Sequence, residues 1–173
     1  MDNKVIKASR VAWYYHRNQL RKGREEPYFF HCARVSALVS SFEDSTEDMV
    51  IAAWLHDTVE DTSINISYID KVFGSNVLNI VLELTNKFTK NNYPNLNREE
   101  RKKREAERLS KCSKEARVIK LCDRLDNISD MDYVKTKKYY LDETRDLVDA
   151  IGDASSTIAN DILERLDEYI LPV

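Results

Sequence analysis

Glycine and proline are scarce in this chain, and this scarcity constrains its fold more than any other feature. The 173 residues include only three glycines and three prolines, whereas sheets joined by tight turns need such residues repeatedly. Leucine, alanine, glutamate, lysine and arginine, which favour helices, fill long uninterrupted stretches. The sequence therefore predicts an all-α fold, a helical bundle that forms a single domain over residues 1–173.

Apolar residues recur at helical spacing along most of the chain and predict the individual helices. The first helix is expected to carry Val5 to Tyr15, and a basic loop follows it over 18–27. Further helices are expected over 29–40, 45–60, 65–74, 75–84, 97–110, 113–125, 136–151 and 155–170, with N-caps at Ser45, Asn65, Ser75 and Ser113 and a loop over 86–97.

Charge and cysteine content argue against nucleic-acid binding, membrane association and a disulfide framework. The net charge of −3, with 27 basic and 30 acidic residues, creates no field that would hold a nucleic acid or an anionic membrane. The longest apolar run, Val50 to Leu55, is too short to cross a bilayer, and the polar start does not resemble a signal peptide. Cys32, Cys112 and Cys122 form no metal-binding or disulfide pattern. We therefore expect reduced thiols and a cytoplasmic location, with self-association into a homo-oligomer left open.

Four ionisable residues follow the apolar run within one segment, His56-Asp57-Thr-Val-Glu60-Asp61. In a continuous helix each member of the second pair lies one turn after its counterpart in the first. Because carboxylates beside buried surface are costly without compensation, a divalent cation would explain why they gather here. The alternative is a helix end whose polar groups face water, and a His-Asp dipeptide alone favours that alternative.

Two residues elsewhere in the chain have the same kind of ambiguity. His31 follows the aromatic run Tyr28-Phe-Phe30, which we interpret as packing that positions this histidine. Asp123 lies in an apolar helical face, where an acid needs a partner. Each has a plain alternative: a hydrogen-bonded core histidine for His31, and an ion pair with Arg124 or another internal base for Asp123.

Together, His31, His56-Asp57 and Asp123 reproduce the H…HD…D pattern of the HD phosphohydrolase superfamily. Further stretches resemble the hydrolase domain of RelA/SpoT proteins and the small alarmone hydrolases, which include the metazoan SpoT homologue. The stretches that carry this resemblance are His16-Arg-Asn-Gln-Leu-Arg-Lys22, Pro27-Tyr28, His56-Asp-Thr-Val-Glu-Asp-Thr62, Phe73-Gly74 and Lys120-Leu-Cys-Asp-Arg-Leu-Asp-Asn127.

The resemblance implies an HD-type bundle and a single bound metal ion, usually Mn²⁺. It assigns the metal to His31, His56, Asp57 and Asp123, although such donors suit several divalent transition metals. It also implies that Glu60 and Asp61 orient and deprotonate the attacking water.

The implied substrate is a small-molecule nucleotide, guanosine tetra- or pentaphosphate, which would lose its 3′-pyrophosphate to give GDP or GTP. The resemblance places Arg21 and Lys22 near the base and phosphates, although the plain alternative for this pair is a solvated basic loop. Asn127 matches the position that contacts the nucleoside. Lys87 and Tyr140 fall in regions that help to hold the 5′ phosphates.

Three departures from the family pattern leave the choice of nucleotide open. Cys32 replaces a common proline, Asp126 stands where a histidine or aromatic is frequent, and Ser129 replaces a frequent arginine. An added acid and a lost base would weaken attraction for a highly anionic nucleotide. NADPH or a nucleoside triphosphate is thus an alternative substrate, and a non-catalytic alarmone sensor or a structural helical module is an alternative role. The charged segment Arg98 to Arg108 is interpreted as a solvated helix face.

Overall fold

The computed structural model describes residues 3–129 and 138–169 of the chain. These residues form two compact units, one within Met1–Thr85 and one within Asn86–Val173, which we call the first and second units. Within the described ranges, helices account for the regular structure, apart from one isolated antiparallel bridge between Leu20 and Pro27. The prediction of an all-α fold is therefore confirmed, whereas the prediction of a single domain stays a prediction.

One apolar helix, α3, lies at the centre of the first unit. It packs against α1, α2 and α6, and Met49, Ile51 and Leu55 are among its buried residues. A helix that is apolar on all sides must be surrounded by others, which explains this central position. The helices of this unit are α1 (Lys4–His16), α2 (Phe29–Ser40), α3 (Glu47–Leu55), α4 (Thr58–Asp61), α5 (Ile66–Phe73) and α6 (Ser75–Leu84).

The predicted third helix is wrong at both ends. Thr46, and not Ser45, is its N-cap, because Thr46 has the extended backbone that a cap requires and accepts from the Met49 N–H at 3.3 Å. The helix ends at Leu55 instead of Glu60, and a turn at His56–Asp57 separates it from α4. The hydroxyl of Thr58 donates to the Leu55 carbonyl at 2.7 Å and satisfies the end of α3.

The junction between α5 and α6 depends on a glycine. Asn65 caps α5 as predicted, since its side chain accepts from the Ser67 N–H at 2.9 Å. Gly74 then adopts φ 101° and ψ 161°, a conformation that is essentially restricted to glycine. Ser75 is already the first residue of α6, so its predicted role as the N-cap is wrong: Gly74 occupies that position without a side-chain bond.

The second unit has two helix pairs, α7 with α9 and α8 with α10. Its large buried side chains include Ile119, Leu121 and Ile162. Ser113 caps the start of α8 as predicted, by accepting from the Ala116 N–H at 3.2 Å. The predicted helix ends at Thr136 and Ile170 lie outside the described residues. The elements are α7 (Arg98–Leu109), α8 (Lys114–Ser129), α9 (Lys138–Ile151), a 3₁₀ turn (Gly152–Ala154) and α10 (Ser156–Glu168).

Most of α7 is a charged, solvated face as predicted, but one of its acids is not. Glu105 is only 7% exposed. Its carboxylate accepts from the backbone N–H groups of Lys87 and Phe88, at 3.2 and 3.3 Å, and from the guanidinium of Arg108. This acid therefore anchors the start of the predicted loop to α7. Among the helices of the described residues, none has the length and apolar character needed to cross a membrane.

Candidate metal centre

Two histidines meet in the interior of the first unit. His31 lies in the first turn of α2, and His56 directly follows α3. They are 0% and 2% exposed, and their Nε2 atoms lie 3.2 Å apart. Because α2 and α3 pack against each other, two residues that are 25 positions apart in sequence become neighbours.

The surroundings of His56 determine which of its nitrogens carries the hydrogen. Its Nδ1 atom lies 2.8 Å from the carbonyl oxygen of Ala53. A carbonyl can only accept, so Nδ1 carries the hydrogen and, in the neutral ring, Nε2 offers its lone pair. Metal-binding histidines are commonly oriented by this kind of bond to the opposite nitrogen.

Asp57 brings a carboxylate to the same point. Its Oδ2 atom lies 2.9 Å from Nε2 of His56 and 3.7 Å from Nε2 of His31. The hydroxyl of Tyr28 donates a short hydrogen bond to this Oδ2 atom. Two imidazole nitrogens and a carboxylate oxygen thus converge, and this donor set fits a divalent transition metal.

The aromatic run before His31 has mixed roles. The ring of Tyr28 packs edge-on against His31 with centroids 5.2 Å apart, so the packing interpretation is confirmed for this residue. Phe29 stacks on Trp54 at 5.4 Å. Phe30, however, is 49% exposed, and the run as a whole is not core.

The two acids after the His-Asp pair lie on α4 and are exposed. The backbone N–H of Asp61 donates to the Asp57 carbonyl at 2.9 Å, so one helical turn joins the two aspartates. The side chain of Asp61 accepts from Nε2 of Gln19 at 2.8 Å. Asp61 and Gln19 also line a cavity of about 620 Å³. Sequence reasoning missed Gln19, which appeared only inside the matching stretch that begins at His16.

In the second unit, Asp123 is buried and held from both sides. Lys120 donates to its Oδ2 atom at 2.6 Å, and the amide of Asn127 donates to its Oδ1 atom at 2.6 Å. These residues lie one turn before and one turn after Asp123 on α8. Lys120 is therefore the internal base of the alternative interpretation, and Arg124 instead bonds Thr144 at 3.2 Å.

The predicted basic pair lies in the loop between α1 and α2. Arg21 is half-buried, and its guanidinium carbon lies 5.9 Å from the centroid of the Tyr28 ring, whereas Lys22 is exposed. Gly23 turns the loop with φ 77°. The backbone N–H of Arg21 donates to the Glu26 carbonyl at 2.9 Å and closes this turn.

The remaining predicted substrate residues belong to the second unit. The side chain of Lys87 is exposed, and Tyr140 lies beneath the guanidinium of Arg124, 4.8 Å from ring centroid to carbon. Sequence reasoning missed Lys102, a residue of α7. Burial lowers the pKa of Lys102, and the nearby cations Lys120 and Arg124 lower it further. Lys102 therefore lies close enough to Lys120 and Arg124 for their charges to act on it.

Comparison with known proteins identifies the family. Residues 8–150 match the model of the HD domain. The chain belongs to the HD-domain family. Within this family it is similar to "Guanosine-3′,5′-bis(diphosphate) 3′-pyrophosphohydrolase MESH1" from Drosophila melanogaster, with 37% identity over 145 residues, covering 83% of this chain and 77% of the relative. The protein of the same name from Homo sapiens is 35% identical over 129 residues, covering 73% and 69%.

A solved HD-domain structure is similar over nearly the whole chain. It is described as a metazoan ortholog of SpoT that hydrolyses ppGpp and plays a role in starvation responses. The TM-score is 0.80 and the identity 30%, and the match covers 95% of this chain and 94% of that one. The predicted resemblance and the predicted HD-type fold are therefore confirmed, whereas the roles of individual site residues stay predictions.

Proposed function

We propose that this chain is a metal-dependent pyrophosphohydrolase that removes the 3′-pyrophosphate from guanosine tetra- or pentaphosphate, leaving GDP or GTP. The names of its HD-domain relatives support this substrate. The observation that carries the proposal is the convergence of His31, His56 and Asp57 on one buried point. Two imidazoles and a carboxylate at such distances fit a metal-dependent hydrolase.

The proposed metal ligands are His31, His56, Asp57 and Asp123, and the proposed ion is Mn²⁺. His31, His56 and Asp123 are each buried and each offer one ligand atom. Asp123 is assigned through the family pattern, and its double orientation by Lys120 and Asn127 supports the assignment. When bound, the cation would lower the pKa of a water molecule and offset negative charge on the phosphoryl oxygens.

Glu60 and Asp61 are the proposed catalytic carboxylates, which orient and deprotonate the attacking water. Both are exposed carboxylates one turn after the His-Asp pair, so solvent can reach them. Each can accept a proton from water that attacks the phosphorus attached to the 3′ oxygen. The bond between that phosphorus and the 3′ oxygen breaks, the oxygen takes a proton, and pyrophosphate leaves.

We assign substrate binding to residues of both units. In the first unit, Arg21 offers a planar guanidinium that can stack on a purine, and Lys22 offers a mobile positive charge. In the second unit, Asn127 would contact the nucleoside. Lys87 and Tyr140 would hold the 5′ phosphates, with support from the positive charge around Lys102.

The direct test is release of pyrophosphate from guanosine tetraphosphate by the full chain with Mn²⁺. We expect turnover by the wild type and by Asp153→Asn, which weakens an ion pair between the exposed Asp153 and the half-buried Arg117 of the second unit, and none by Asp57→Ala. NADPH and nucleoside triphosphates belong in the same panel. Turnover of one of these alone would replace the proposed substrate, and binding without turnover under several metals would favour a sensor.

We further propose that the protein acts in the cytoplasm, without a nucleic-acid partner, and that it can form a homo-oligomer. All three cysteines are free thiols, and two of them are buried, which suits a reducing compartment. Cell fractionation tests the location, and light scattering of the purified chain gives its oligomeric state.

A further inference from the structure

His16 is a buried histidine that the proposed chemistry does not use. It ends α1, is fully buried, and packs against the ring of Tyr28 with centroids 5.0 Å apart. Its Nδ1 atom lies 2.6 Å from Oε1 of Gln19. Its Nε2 atom has no hydrogen-bond partner among the described residues. A buried polar ring that uses only one of its nitrogens calls for an explanation.

The side chains of Asp61, Gln19 and His16 form a path of two hydrogen bonds, and only one placement of the hydrogens satisfies both bonds. The carboxylate of Asp61 accepts, so Gln19 must turn its NH₂ group toward Asp61. The carbonyl oxygen of Gln19 then faces His16 and can also only accept, so Nδ1 of His16 carries the hydrogen. Burial lowers the pKa of His16, so the ring is neutral at neutral pH and its unpartnered Nε2 atom carries no hydrogen.

Gln19 is held by its backbone as well as by its side chain. Its N–H donates to the His16 carbonyl at 2.9 Å, and its carbonyl accepts from the Tyr28 N–H at 2.9 Å. The main chain is therefore fixed, and only the side-chain amide can turn. The bond from His16 selects the orientation in which the amide NH₂ group meets Asp61.

We propose that His16 is a positioning residue, which acts through Gln19 to hold the exposed carboxylate of Asp61 in one orientation. The proposal rests on the proposed function, in which Asp61 takes a proton from the attacking water. Asp61 lies on a four-residue helix and lines the cavity of about 620 Å³. Without Gln19, its side chain would sample other rotamers, and a misplaced catalytic group lowers the rate of the chemical step.

The first test requires no turnover. The chain has three histidines, so ¹⁵N NMR of the full chain, with and without diamagnetic Zn²⁺, can resolve each ring. We expect His16 as the neutral Nδ1–H tautomer, and loss of this fixed tautomer in Gln19→Leu but not in Asn18→Leu. A wild-type His16 that carries its hydrogen on Nε2 would overturn the proposal, whatever the activity.

The second test is kinetic. His16→Phe keeps a ring against Tyr28 but lacks the donor, and it should lower kcat by about tenfold, with KM and Mn²⁺ affinity within about twofold of wild type. His16→Asn places an amide donor near the former Nδ1 and should restore most of the loss. Gln19→Leu serves as the second variant if His16→Phe does not fold.

A double-mutant comparison separates positioning from a general structural effect. In an Asp61→Asn background, His16→Phe should cause no further loss of kcat, since the two changes act through one group. Equal, additive losses in both backgrounds would contradict the proposal. If the wild type releases no pyrophosphate with any metal, the proposed function fails. The tautomer measurement then tests the hydrogen bonds from His16 through Gln19 to Asp61 independently of turnover.

Discussion

The Nε2 atoms of His31 and His56 lie 3.2 Å apart inside the first unit. In its neutral form His56 directs a lone pair to this point, because its other nitrogen donates to a backbone carbonyl. Asp57 adds an anionic oxygen to the same place. The geometry brings two imidazole nitrogens and an anionic oxygen within coordinating distance of one point. A divalent cation at this point would attract the carboxylate and the nitrogen lone pairs, so binding should be visible in the stability of the fold.

Mn²⁺ should therefore raise the melting temperature of the metal-stripped protein. At a free concentration of about 100 times Kd, binding contributes about 2.7 kcal/mol, which corresponds to roughly 5–10 °C for a chain of this size. Differential scanning calorimetry measures this gain. His31→Ala should lose most of it and Asp153→Asn should keep it; equal gains in both variants would place the ion elsewhere.

Tyr28→Phe should weaken the metal site without disturbing its packing. The substitution keeps the ring against His31 but removes the hydroxyl that donates to Asp57. Loss of such an orienting bond typically costs about 10- to 100-fold in metal affinity. Titration with Mn²⁺, followed by electron paramagnetic resonance, gives the value. Tyr93→Phe, in a ring that stacks on Phe88, is the matched control, and an equal loss there would argue for a nonspecific effect.

Lys102→Met should make the protein more stable and its substrate binding weaker. Burial and neighbouring cations oppose the charge on Lys102, so its removal should raise stability by about 1 kcal/mol at neutral pH. The folded pKa lies below the unfolded value of 10.5, so this gain should shrink as the pH rises toward that value. If the charge contacts phosphate, KM should rise about tenfold.

The neighbouring Lys103 is exposed and provides the comparison for Lys102. Lys103→Met should leave both the melting temperature and KM close to the wild-type values. A Lys102→Met protein with raised stability and an unchanged KM would show that this half-buried charge does not serve the substrate.

Gly74→Ala should destabilise the first unit by about 1–3 kcal/mol, because φ 101° with ψ 161° excludes a side chain. Space is not the obstacle, since an added Cβ would have no atom within 4 Å. Ser75→Ala, at the adjacent position, should cost less than about 0.5 kcal/mol, because Ser75 makes no cap bond. Urea unfolding monitored by circular dichroism compares the two, and similar losses would contradict the backbone argument.

Local sequence patterns predicted the helices well where the residues of one segment determine both the apolar face and the cap. The bounds of α2 and the cap at Asn65 follow from apolar spacing and from the chemistry of one side chain. The end of α3 did not follow, because the residues after Leu55 continue an acceptable helical pattern. The turn depends on a bond from the Thr58 hydroxyl, which competes with the helix and leaves no periodic signal.

The residues of the candidate site could likewise be predicted where they are adjacent in sequence, but not where only the fold brings them together. His56 and Asp57 are adjacent in a recognisable motif, and the chemistry of their side chains suggested a metal. The bond between Gln19 and Asp61 joins residues 42 positions apart, and no spacing rule relates them. Lys102 belongs to a charged segment that composition marks as solvated, whereas its burial is set by tertiary packing.

The turn at His56–Asp57 separates helix α4 from the buried helix α3. Successive residues of a continuous helix point about 100° apart. His56 and Asp57 nevertheless reach the same point, just after α3 has ended at Leu55. Glu60 and Asp61, the proposed proton acceptors, lie on α4 beyond this turn, so the directions of their side chains do not follow the helical periodicity of α3. Substitutions at the exposed positions of α4 can therefore change the arrangement of the proposed acids, while the buried Thr58 keeps the helix in place.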